Sequence, residues 1–247
     1  IALGLGLSFL QAGHFFAYVD AEFTSPEEWL QKLMGEHAGN PGFLAQRPRS
    51  YEETVLAVRE LCDGLVAARE AGDVAPDTTA LIVVDSLRKL VPARLLDKML
   101  TGKDGIDGAK GRAAMMKAAL NAQWLDELVP MLYHSNTTMV LIAREFDNPD
   151  ANPWEADYKV AGGKAVLFDS SLAIRVTRGW VRRGSGEDSE IVGEKHKASI
   201  HKTKVAGHEG KVEVAYYHCS NGLLVPEGFD RPRDVVELAC DRGVVEK

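Results

Sequence analysis

Two apolar runs in this chain end in acids. Phe15–Asp20 reads FFAYVD and continues into Ala21 and Glu22, while Ala80–Asp85 reads ALIVVD and continues into Ser86. A carboxylate at the end of a buried strand can hold Mg²⁺ through water, and a second one beside it can position and deprotonate a water molecule. The same acids can equally serve as caps of the segments that follow. Two stretches carry phosphate-facing chemistry. Residues 101–110 (TGKDGIDGAK) combine Gly102, Lys103 and Lys110, with Arg112 and Lys117 just beyond. Residues 145–163 hold Trp154, two prolines, several acids and the closing pair Gly162-Gly163, followed by Lys164. Glycines let a backbone approach phosphate closely, and an aromatic side chain in a loop can stack on a base or anchor the loop in the core. His14, His37 and His134 lack ligand-like spacing and read as structural.

The elements that must position these groups alternate. Residues 1–10 read as a buried helix, Phe15–Asp20 as a strand, and Thr24-Ser25-Pro26-Glu27-Glu28 as a helix start with a cap, a first-turn proline and acids on the positive end of the dipole. Residues 51–70 carry apolar positions at helical spacing (Val55, Val58, Leu61, Leu65), 72–79 a loop, 109–131 a helix and 138–143 a further buried strand. Strands without a polar face, separated by helices, predict a parallel sheet covered on both sides. Both irregular stretches follow apolar strands and so emerge at the carboxyl edge, where such sheets bind ligands. Beyond residue 172 the spacing predicts short alternating strands at 172–177, 180–183, 198–202 and 212–218, as an antiparallel extension of the same sheet.

The bulk properties narrow the class. With 247 residues, 45% hydrophobic and 26% charged, the chain has globular composition and excludes a disordered or coiled-coil protein. The formal net charge of -7 excludes a chain basic throughout, yet between Arg175 and Lys204 eight Lys/Arg face four acids. That local surplus is the electrostatic footprint of a nucleotide- or nucleic-acid-facing side. Cys62, Cys219 and Cys240 are far apart and form no CxxC pair, which points to a reducing, cytoplasmic setting. The apolar opening has no basic leader and is interrupted by Gln11, Gly13 and His14, so an internal helix is expected there and no membrane association.

Taken in order, the segments FAYVDAE, LIVVDSLRKLVP, GRAAMMKAAL, GGKAVLFDSSLAIRVTR and IHKTKVAG resemble the bacterial RecA recombinase family and its phage relatives. The resemblance implies an α/β fold: a RecA-like P-loop ATPase core with a mostly parallel sheet, an antiparallel extension and helices on both faces. It implies one such core over 1–247. It also implies ATP and Mg²⁺ as cofactors, single-stranded and homologous duplex DNA as partners, and self-association into a helical filament. Glu22 matches the glutamate that orients the attacking water, Asp85 the Mg²⁺-linked aspartate with Ser86 beside it, and Trp29 the aromatic placed against adenine; as a helix residue, Trp29 could equally pack on the core. Lys202 and Lys204 match the pair that reaches a neighbouring subunit's terminal phosphate, although an alternating His-Lys-Thr-Lys also reads as a solvated strand face. DNA contacts are implied for Gly102, Lys103, Lys110, Arg112, Lys117, Trp154, Gly162, Gly163 and Lys164.

Two departures stand out. The pattern GxxxxGK[ST] occurs nowhere in the 247 residues. The resemblance places that phosphate-binding loop just before Ile1 and the family's C-terminal domain after the chain's end, so the 247 residues by themselves are expected to be inactive toward ATP. The family's glutamine or histidine γ-phosphate sensor is replaced, because the strand ends Ile142-Ala143-Arg144-Glu145 and leaves Arg144 or Glu145 in that place. The function expected is ATP-dependent homologous pairing and strand exchange. The alternatives are another RecA-fold ATPase, such as a ring helicase or a RadA/Sms-type branch-migration protein, or a segment that binds DNA without hydrolysing ATP.

Overall fold

The computed structural model describes residues 2–96, 106–147, 158–184, 189–204, 210–217, 228–229, 235–236 and 239–240. The chain divides into two compact units, Ile1–Asp169 and Ser170–Lys247.

The first unit is a three-layer α/β sandwich. Helix α1 (Ala2–Gln11) leads into β1 (Phe15–Asp20), α2 (Glu27–Met34), a 3₁₀ turn at Gly35–Gly39 and β2 (Phe43–Gln46). Then come α3 (Tyr51–Ala71), β3 (Ala80–Asp85), α4 (Ile106–His134) and β4 (Thr137–Ile142). The four strands pair in parallel in the order β2-β1-β3-β4. Period-two alternation sends successive side chains to opposite layers. Phe16, Tyr18, Leu81 and Val83 pack with Leu10, Leu30 and Met34 beneath α1 and α2. Ala17, Val19, Ile82 and Val84 pack with Val58, Cys62, Trp124 and Leu128 of α3 and α4. Burial on both faces is why these strands read as unbroken apolar runs.

Local signals explain the helix ends. Ser50 accepts the Glu53 amide at the start of α3, while the Glu53 carboxylate accepts the Arg49 amide. At the other end Gly72 adopts φ 79° and its amide returns to Ala68 and Arg69, a left-handed stop that suits glycine. Helix α2 departs from expectation: Pro26 is its N-cap and no side chain caps it. The amides of Thr24 and Ser25 donate instead to the carboxylate of Asp20.

The irregular stretches contain more structure than their composition predicts. Helix α4 begins at Ile106, inside the Gly-rich segment, because an established helix gains one hydrogen bond per added residue and propagates into poor formers. Residues 101–105, including Gly102 and Lys103, lie outside the described residues, as do the side chains of Lys110 and Arg112. In the second stretch β5 (Glu145–Asp147) pairs antiparallel with β6 (Tyr158–Val160), and α5 (Lys164–Asp169) follows the glycine pair. Trp154 falls between those strands, outside the described residues.

The second unit holds β7 (Leu172–Arg183), β8 (Glu190–Thr203), β9 (Lys211–Tyr217) and β10 (Gly228–Phe229). The expected antiparallel strands are present and, among the described residues, hydrogen-bond in the order β10-β9-β8-β7. The strands expected at 172–177 and 180–183 are one continuous strand. Gly179 does not break it, because its backbone pairs with Lys195 in the long β7–β8 ladder.

Candidate active site

Parallel pairing aligns three strand ends. Asp20 is in register with Asp85, and Asp85 with Ile142, so the residues that follow each strand meet at one edge. The turn after β1 is fastened to the end of β3, because the amides of Ala21 and Glu22 both donate to the Asp85 carbonyl at 2.7 and 3.1 Å. The Leu87 amide donates to the Ile142 carbonyl, fastening the next turn to β4. Backbone bonds alone therefore bring Glu22, Asp85, Ser86 and Arg144 together.

The side chains complete a connected cluster. Ser86 Oγ donates to Glu22 Oε1 at 2.5 Å, and Arg144 Nη2 donates to Glu22 Oε2 at 2.6 Å. The Glu22 side chain is 8% exposed, whereas that of Arg144 is 52% exposed. The Ser86 hydrogen bond, helped by the charges of Arg144 and Lys89, holds the Glu22 carboxyl below the usual carboxylate range despite its burial. Asp85 moves the other way: burial raises its pKa, opposed by a hydrogen bond from Tyr18 Oη at 3.0 Å. Burial likewise raises the Tyr18 phenol, which also shares a 3.0 Å hydrogen bond with Ser25 Oγ.

Oxygen donors are what Mg²⁺ prefers. Asp85 Oδ1 accepts no hydrogen bond among the described residues and fits a metal held through water, whereas the buried Ser86 hydroxyl is committed to Glu22. Asp20 plays a different part. It is buried, accepts the Thr24 and Ser25 amides, and lies 3.6 Å from Arg47 Nε, so it ties the loop after β1 to the end of β2.

Of the two residues that the sequence leaves open as sensor, Arg144 is the one that faces the cluster; Glu145 starts β5. Trp29 is 46% exposed on α2 rather than packed in the core. Lys117 is half-buried, donates to the Arg88 carbonyl at 2.9 Å, and has its pKa lowered by that burial. Gly162 and Gly163 have φ 101° and 88°. The Gly162 carbonyl accepts from buried Asn121 Nδ2 at 2.8 Å, and a Cβ at Gly163 would sit 2.9 Å from Ala118 Cβ. Lys164, the first residue of α5, is exposed. Lys202 and Lys204 belong to the second unit, Lys202 in β8 opposite Ala173 and Lys204 with its amide on the Ser171 carbonyl.

Sequence reasoning missed Tyr18, Ser25 and Arg47 as supports of the strand ends. Tyr18 had a legible signal, since a hydroxyl in an apolar strand two residues before an acid shares that acid's face. Arg47 had none, because its partner is 27 residues away in sequence and meets it only through the β1–β2 pairing.

No family model matches the chain. RecA of Heliobacterium modesticaldum is 29% identical over 256 aligned positions, covering 100% of this chain and 61% of that protein. RecA of Corynebacterium efficiens is 27% identical, covering 96% and 52%, and RecA of Geobacter sulfurreducens 26% identical, covering 100% and 63%. The chain thus spans between half and two thirds of the length of these relatives. Among solved structures, the RadB recombinase superposes with a TM-score of 0.48 at 18% identity, covering 86% of this chain and 79% of that one. The resemblance carried by the motifs is borne out by the RecA sequences, to which this chain is similar over nearly its whole length.

Proposed function

We propose that this chain carries the hydrolytic edge and DNA-facing segments of an ATP-dependent recombinase that coats single-stranded DNA as a filament and pairs it with homologous duplex. One observation carries the reading: Glu22, Asp85, Ser86 and Arg144 meet at the carboxyl ends of three adjacent parallel strands. In this reading Glu22 orients the attacking water, and Asp85 holds Mg²⁺ through water. The ion, when bound, neutralises charge on the phosphates. Arg144 offers a guanidinium suited to phosphate oxygens, and exposed Trp29 offers a face for adenine. Lys202 and Lys204 reach a neighbouring subunit's nucleotide, and the Gly-rich segment, Trp154 and the Gly162-Gly163 end face DNA.

The test is ATP turnover by the full-length protein with and without single-stranded DNA. Turnover is expected to rise with DNA, and Glu22→Gln is expected to reduce it at least about a hundred-fold while ATP still binds, because loss of the base leaves phosphate and metal contacts intact. Undiminished turnover in Glu22→Gln would remove the assignment. Closed rings on single-stranded DNA in place of open filaments would move the reading to a ring helicase.

A further inference from the structure

Arg144 does more than stand where a phosphate would arrive. It already has an anionic partner, because its Nη2 lies 2.6 Å from Glu22 Oε2. The other oxygen of the same carboxylate is taken by Ser86 at 2.5 Å. Glu22 is therefore gripped at both oxygens, and its side chain is almost closed to solvent while that of Arg144 is half open. A water-orienting carboxylate must offer a lone pair to water. In this arrangement each oxygen already accepts one hydrogen bond inside the protein, one of them charge-assisted and strong, and burial of the side chain closes the remaining lone pairs to water.

We infer that Arg144 and Ser86 form a resting clamp on Glu22, and that an anion reaching the exposed guanidinium, the terminal phosphate of a nucleotide, releases the carboxylate by competing for Arg144. The inference rests on the nucleotide-hydrolysing reading and adds its regulation. A guanidinium presents five N–H donors in a planar fork, and a phosphate can engage two of them at once. The Arg144 backbone is anchored, since its carbonyl accepts the Ala161 amide at 2.9 Å and the strand that precedes it, β4, is held to β3. A neutral glutamine at 144 would lack the charge to restrain Glu22 in this way. Arginine at 144 thus makes the protein's own base and the nucleotide rivals for one cation.

The experiment is a double-mutant cycle on the full-length protein. Unfolding would be measured for wild type, Glu22→Gln, Arg144→Gln and the double variant, first without ligand and then saturated with a non-hydrolysable ATP analogue and Mg²⁺. Without ligand the two substitutions are expected to be non-additive, with a coupling of about five- to ten-fold in the unfolding constant. With the analogue bound they are expected to become additive. Arg144→Lys, which keeps the charge and loses the fork, should show a smaller ligand-free coupling and guards against a glutamine variant that fails to fold. Additivity without ligand would overturn the clamp, and so would the same coupling in both states, which is what a purely structural ion pair gives. If the analogue leaves the wild-type melting temperature unmoved, the nucleotide reading falls together with the switch. If it binds and the coupling persists, the switch alone falls.

Discussion

Asp85 and Glu22 are two carboxylates on one sheet edge, and their surroundings push them apart. Burial makes Asp85 harder to ionise, while the Ser86 hydrogen bond and the nearby cations make Glu22 easier to ionise. Divergent environments of this kind separate roles among neighbouring acids. An ion bound at Asp85 would reverse its burial effect, since a divalent cation favours the charged carboxylate. Asp85→Asn is accordingly expected to raise the Mg²⁺ concentration needed for half-maximal turnover by about ten-fold or more, at little cost to folding, because the amide oxygen still accepts from Tyr18. A Mg²⁺ titration of ATPase rate checks this. An unshifted titration would leave Asp85 a strand-end carboxyl with no part in metal binding.

At the scale of elements, the site is a product of register. Parallel β1, β3 and β4 present Asp20, Asp85 and Ile142 side by side, so a slip of one residue in any strand would turn its last side chain to the opposite layer. The second irregular stretch is held by its closing glycines. Asn121 of α4 grips the Gly162 carbonyl, and Gly163 lies where any side chain would strike Ala118. Gly163→Ala is expected to destabilise the protein by about 1–3 kcal/mol, from the clash and from φ near 88° for an L-residue. Denaturant unfolding measures it. A neutral result would mean that the segment shifts away from α4 at no cost.

At the scale of the whole molecule, each unit has its own sheet, and the cationic run between Arg175 and Lys204 belongs entirely to the second. An acidic chain that concentrates its cations in this way is expected to bind single-stranded DNA with a binding constant whose logarithm falls linearly with log salt. Trp154→Ala should weaken that binding about ten-fold through lost stacking and leave the salt slope unchanged, whereas Lys197→Ala, at an exposed position of β8, should make the slope shallower. Fluorescence-anisotropy titrations at several salt concentrations separate the two effects. Equal behaviour of the two variants would detach Trp154 from DNA.

Patterns repeating over a few residues were legible without coordinates. Phe15–Asp20 and Ala80–Asp85 announce themselves as strands buried on both faces, and the observed bounds coincide with those runs. The apolar spacing of residues 51–70 and the loop expected from 72 mark the helix found at Tyr51–Ala71. Glu22 and Asp85 could be singled out because they stand at or just past strand ends, which gather at one edge in a parallel sheet, whereas Arg144, with Glu145 as its alternative, came from the resemblance. What local pattern could not supply was any relation set by distant pairing. The short strand β2 depends on a partner far along the chain, β1, from which α2 separates it. So does the partner of Arg144, which meets Glu22 from 122 residues away. Periodicity tells which face of an element is apolar. Which side chain stands opposite another is decided by register between strands, and register is a property of the folded sheet.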